Sequence, residues 1–69
     1  MLEITNKQKF PVQLLVKSRK KTRAFTTLNI PGIGSGNNVR FLEDERHTEY
    51  VDRIRNMGFI SIQRVTNQN

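Results

Sequence analysis

Residues 12–30 read VQLLVKSRKKTRAFTTLNI, and this stretch decides the fold class. Val12, Leu14 and Val16 alternate with Gln13, Leu15 and Lys17, the two-residue period of a half-buried strand with Leu15 as its one imperfection. The pattern predicts a strand over Val12–Ser18. Arg23–Ile30 is rich in β-branched and aromatic residues and predicts a second strand. Arg19–Thr22 joins the two without the Asn-Gly or Gly-X pair of a two-residue hairpin, so a looser connection is expected.

Upstream, Leu2 and Ile4 alternate with Glu3 and Thr5, the pattern expected of a short edge strand. Asn6–Lys9 reads as a turn, and Pro11 sets φ just ahead of Val12. Downstream, Pro31-Gly32 stops the second long strand. Gly32, Gly34 and Gly36, with Asn37 and Asn38, form an irregular loop before a short strand at Val39 and Phe41.

One helix follows. Asp44 is its expected N-cap, with Glu45 in the first turn where an anion suits the macrodipole. Tyr50, Val51, Ile54 and Met57 give an apolar stripe, and Glu49 and Arg53 an i,i+4 ion pair. Gly58 suits the left-handed position after the helix, and Phe59–Val65 closes the chain as a strand with Ile60 and Ile62 on one side. The expected architecture is α+β: a small antiparallel sheet of three to five strands, packed on one helix in the C-terminal half and followed by a final strand. It forms one small domain over 1–69, with a frayed polar tail at 66–69.

At 69 residues the chain has no room for a doubly wound nucleotide fold or a barrel enzyme, since a typical domain has about 100–150 residues. It lacks cysteine, hence disulfides and thiolate metal sites. Its most apolar run, Val12–Val16, is far below the roughly 20 residues that cross a bilayer, and no apolar leader precedes it. Synthesis in a reducing cytoplasm, without membrane association, is the expectation.

The formal charge is +6, and all of it lies in the first third. Residues 1–25 hold seven Lys/Arg against Glu3, whereas five Arg balance five carboxylates in 26–69. Five cations, Lys17, Arg19, Lys20, Lys21 and Arg23, fall within seven residues, with no anion nearby in sequence. Such a run is expected either to solubilise a loop or to meet an anionic surface, phosphate or an acidic protein face.

Catalytic constellations are missing from the sequence. His47 is the only histidine and is expected on the helix surface near Tyr50. Glu45, Glu49 and Asp52 share a helix face at i, i+4 and i+7, but no second acidic segment completes a hard-cation site. Ser18, Ser35 and Ser61 lie in no nucleophile elbow. Neither catalysis nor a cofactor is expected. Pro31–Gly36 lacks the Gly-Lys-Ser/Thr of a phosphate loop. Leu28–Gly34 looks like the hairpin of helix-hairpin-helix proteins, but Phe25-Thr26-Thr27 and Gly36-Asn37-Asn38 are poor helix sequence on either side.

Taken whole, the chain resembles a group of small tailed-bacteriophage virion proteins, the capsid-decorating (cement), neck or tail-associated subunits. The resemblance is carried by Leu2-Glu3-Ile4-Thr5-Asn6, by Phe25–Gly32, by Val39, by the acidic helix start, and by Met57-Gly58-Phe59-Ile60. It implies a structural subunit of the virion with no active site, docking on major capsid, neck or tail proteins or on further copies of itself. Lys17, Arg19, Lys20, Lys21 and Arg23, with Gly32, Gly34 and Gly36, are the expected partner-binding residues. Terminal segments such as Leu2–Thr5, and the glycine loop, are the expected places for adding a strand to a partner's sheet edge. The alternative is a small basic nucleic-acid-binding module or phage regulator. An inhibitor docking on a host enzyme by charge is a third reading.

Overall fold

The computed structural model describes residues 1–20 and 23–66, and the fold is α+β. Five strands form in chain order: β1 (Leu2–Asn6), β2 (Val12–Lys17), β3 (Phe25–Ile30), β4 (Val39–Leu42) and β5 (Ile60–Arg64). One helix, α1 (Glu49–Asn56), lies between β4 and β5. The strands divide into a three-stranded antiparallel sheet ordered β4-β1-β5 and a two-stranded hairpin of β2 and β3.

Alternation places the core as expected in β2, where Val12, Leu14 and Val16 are buried and the residues between them exposed. Leu2, Ile4, Leu42 and Ile60 supply the facing layer from the three-stranded sheet, and Ile30 and Val51 complete it from β3 and α1. Both sheets and the helix thus share one apolar core. Burial of each such side chain contributes about 1.5–3 kcal/mol, which orients the elements against one another.

The first correction concerns β1. It is the central strand of its sheet, paired with β4 from Leu2↔Leu42 to Thr5↔Val39 and with β5 from Leu2↔Arg64 to Asn6↔Ile60. A short strand that alternates apolar and polar looks like an edge strand in isolation. Here pairing on both sides leaves even Glu3 and Thr5 half-buried and gives Leu2–Thr5 no free edge for a partner.

Asn6 is the second correction. It does not open a turn but ends β1, fully buried at the place where the two sheets meet. Its Nδ2 donates to the carbonyls of Phe10 at 2.7 Å, Ile30 at 3.2 Å and Pro31 at 3.1 Å, and its Oδ1 accepts from the Gln8 N–H at 2.9 Å. Its backbone N–H donates to the Asn38 carbonyl at 2.8 Å, and Asn38 Nδ2 returns a bond to the Asn6 carbonyl at 2.9 Å. The Asn6 side chain therefore clips the end of β1 to the start of β2 and the end of β3, while its backbone ties β1 to the approach to β4.

The helix ends as the sequence predicts. Gly58 has φ of +85°, with bonds from Gly58 N–H to the Arg55 carbonyl and from Phe59 N–H to that of Ile54. It starts later than predicted. Thr48, not Asp44, precedes the first turn, while Asp44–Arg46 forms an isolated 3-10 turn and His47 is extended. Long-range contacts override local capping here: Asp44 pairs with the Met1 ammonium at 2.6 Å and with Arg64 at 3.2 Å. Glu45 is consequently off the helix, and the shared acidic face of Glu45, Glu49 and Asp52 does not form. The apolar stripe is narrower than predicted, with Val51 buried and Ile54 half-buried, but Tyr50 and Met57 exposed. Glu49 and Arg53 form no ion pair; the Arg53 guanidinium instead lies 5.6 Å from the centre of the Tyr50 ring.

Replacing Asn6 by Ala strips donors from three buried or half-buried carbonyls. Urea denaturation is expected to show a loss of roughly 2–4 kcal/mol, far above the effect of an exposed change such as Gln13→Ala.

Candidate functional site

The cationic segment turns the corner from β2 to β3. The Ser18 N–H donates to the Ala24 carbonyl at 2.9 Å, closing the ladder beyond the Lys17↔Phe25 pair. The Lys20 N–H donates to Ser18 Oγ at 3.1 Å, which bends the chain outward. Lys17, Arg19, Lys20 and Arg23 are all exposed, and Lys21 lies outside the described residues.

The fold brings to this hairpin an anion that sequence distance concealed. Glu43, just after β4, receives Arg19 Nε at 2.7 Å on one oxygen and Arg46 Nη1 at 3.2 Å on the other. Arg46 also donates from Nε to the Lys17 carbonyl at 2.8 Å, and Thr48 Oγ1 donates to the Leu15 carbonyl at 2.5 Å. Residues 43–48 therefore run beside β2 as a clasp on its outer edge. Between hairpin and clasp lies an open groove of about 500 Å³ lined by Lys17, Ser18, Arg19, Lys20, Glu43, Glu45 and Arg46. The cationic run is thus partly neutralised. Lys17, Lys20 and Arg23 remain without an ion pair among the described residues.

The bond from Arg19, a backbone hydrogen bond and the bond from Arg46 together lower the Glu43 carboxyl from an ordinary 4.5 to about 2. Arg19 is shifted the opposite way, held more firmly protonated by the same contact. A carboxyl whose folded value is depressed stabilises the fold above its ordinary value and ceases to do so as pH falls towards the folded one.

Aromatic groups flank the hairpin as well. Phe25, opposite Lys17, meets Tyr50 of α1 edge-to-face, with ring centres 5.9 Å apart. With Arg53 on the Tyr50 ring, the order Lys17, Phe25, Tyr50, Arg53 spans both the hairpin and the helix. The sequence places Tyr50 and Arg53 on a helix, but not beside the cationic segment.

The glycine loop does not join this site. It follows the far end of β3, and six-residue strands at about 3.3 Å per residue put it roughly 20 Å from the hairpin tip. Ile33–Ser35 is a 3-10 turn closed by Gly36 at φ +80°. Leu28–Ile30 is strand, so the helix-hairpin-helix phrase lacks its first helix. The Ile33 N–H bonds the Gln8 carbonyl at 2.9 Å. Gly32 lies so close to the Lys9 backbone that an added Cβ would sit 2.1 Å from its carbonyl oxygen. Gly32 thus serves close packing of the loop on the β1–β2 connection, whereas Gly34 faces open space.

His47 stands ahead of the helix rather than on it, with Nε2 2.9 Å from Asp52 Oδ1. Arg55 approaches the same oxygen at 3.6 Å. Among the described residues no three His, Cys, Asp or Glu side chains gather as a metal site, and no helix is long and apolar enough to cross a membrane. No family model, curated protein or solved structure matches this chain.

Two outcomes test this geometry. In an NMR titration Glu43 is expected to stay ionised down to about pH 2, and in the Arg19→Ala variant to titrate closer to its ordinary 4.5. Gly32→Ala is expected to cost roughly 1–3 kcal/mol in denaturation, and Gly34→Ala less than about 0.5 kcal/mol.

Proposed function

We propose that this chain is a non-enzymatic structural subunit of a tailed-bacteriophage virion, made in the host cytoplasm. It docks on neighbouring capsid, neck or tail proteins through its cationic β2–β3 hairpin. The observation that carries this reading is the amount of apolar surface left exposed. Phe10, Phe25, Phe41 and Met57 are 75%, 51%, 54% and 60% exposed in a chain of only 69 residues. So much exposed apolar surface, with Phe25 opposite the Lys17 that has no ion pair among the described residues, is what an interface leaves when its partner is removed. The core supports the same reading. Nine apolar side chains are buried, and a partner that binds only the folded state adds stability by mass action. The resemblance to small virion proteins supplies the assembly.

A second reading, single-stranded nucleic-acid binding, is favoured by one observation: the Phe25–Tyr50 pair lies between Lys17 and Arg53. Aromatic faces beside cations stack bases and track phosphates. Exposed as it is, the pair is small, and it ranks behind the docking reading.

The protein is expected to co-sediment with purified virions and to be released by salt. The Lys20→Glu, Arg23→Glu double variant, which leaves the Arg19–Glu43 pair intact, should lose at least ten-fold in association. Mass spectrometry of purified virions that finds no trace of the chain would remove the virion reading. Tight, salt-dependent binding to single-stranded oligonucleotides, with no binding to virions, would put the second in its place.

A further inference from the structure

The four strands that border the two sheets are not equally protected. On β2, two carbonyls that face away from β3, those of Leu15 and Lys17, are taken by Thr48 and Arg46. On β4, only four residues long, Arg40 Nη1 covers the Val39 carbonyl at 2.8 Å. β5 carries Arg64 at its end. Among the described residues no side chain covers the outer edge of β3, and its nearest charge, Arg23, lies two residues ahead of the strand. The pair Ser18↔Ala24 is hydrogen-bonded, so by alternation the N–H and C=O groups of Phe25, Thr27 and Asn29 point away from β2. Among the described residues no other strand pairs there. The edge is six residues of FTTLNI, without a charge, a proline or a bulge. Natural sheets blunt such edges, because an open one templates pairing with another chain.

We propose that the outer edge of β3 is a strand-addition site for an extended segment of a partner protein, and that this segment is acidic at the end lying by the hairpin tip. Charge selects the occupant. An added strand runs about 4.8 Å from β3, and two residues beyond Phe25 it passes Arg23, which is exposed and has no ion pair among the described residues. Carboxylates there meet the cations that Glu43 leaves free. A second copy of the chain is the poorer occupant, since it brings a further +6 to an already cationic edge. Phe25, on the outer face, adds an apolar contact for a side chain of the incoming strand. This inference rests on the docking reading but not on the identity of the assembly.

The test uses the full chain, labelled with nitrogen-15, and two synthetic ten-residue peptides of alternating valine and threonine, one ending in three glutamates and the other in three lysines. The glutamate peptide is expected to slow amide exchange at Phe25, Thr27 and Asn29 at least ten-fold, and the lysine peptide to have no effect. Arg23→Glu, at an exposed position, should weaken the glutamate peptide at least ten-fold. Thr27→Pro should abolish protection, because it removes an outward N–H without touching the β2 ladder. If that variant fails to fold, the Arg23→Glu result decides alone. Equal protection by both peptides overturns the proposal, as does perturbation confined to residues 17–23. Edge protection that rises with protein concentration alone overturns it in favour of a second copy. None of these results bears on co-sedimentation with virions, so the failure of one reading is separable from failure of the other.

Discussion

The amide of Asn6 is the contact on which the arrangement of the two sheets depends. The two hydrogens of the Asn6 carboxamide reach three carbonyls, one hydrogen being shared, and its oxygen accepts a fourth bond, which no apolar side chain of similar size can do. Buried polar networks of this kind are strong when complete and costly when one member is lost, because the surrounding medium offers no water in exchange. The core residues on either side are aliphatics, whose contacts carry no direction. It is the directional bonds of Asn6 that bring the end of β1 to the end of β3 and so set how the hairpin stands on the three-stranded sheet.

From that junction the molecule becomes asymmetric. At one end of the hairpin, Gly32 packs on the Lys9 backbone and the Ile33 amide bonds to Gln8, giving a tight, closed corner. At the other, Arg19, Lys20 and Arg23 project beside a single bridging carboxylate. Residues 43–48 clasp β2 and leave β3 uncovered, so protection of one edge and exposure of the other come from the same segment. A docking function fits this division: the closed end holds the shape, and the open end carries the charge and the unpaired strand.

The candidate site was only partly legible in the sequence. The cationic run and its position between two strands were plain, since charge and two-residue alternation are both local patterns. That Glu43 would neutralise Arg19 was not, because the two are brought together only when the clasp lies along β2. For the same reason Asp44 reads as a helix cap in the sequence, yet its carboxylate serves the Met1 ammonium and Arg64. The glycines looked like one adaptable loop, whereas a close backbone approach makes Gly32 a packing position distinct from Gly34.

What the sequence determined by itself is the set of elements: five strands, one helix ended by Gly58, and a β2 strand whose inward face is Val12, Leu14 and Val16. Those features follow from periodicity and from backbone preferences that act over a few residues. Only the tertiary structure decided that β1 is central, that five strands form two sheets rather than one, and that β3 keeps a free edge. Strand order depends on which hydrogen-bonding edges meet across long stretches of chain. A row of backbone N–H and C=O groups looks the same in every strand, so no residue in β1 or β3 announces its neighbour.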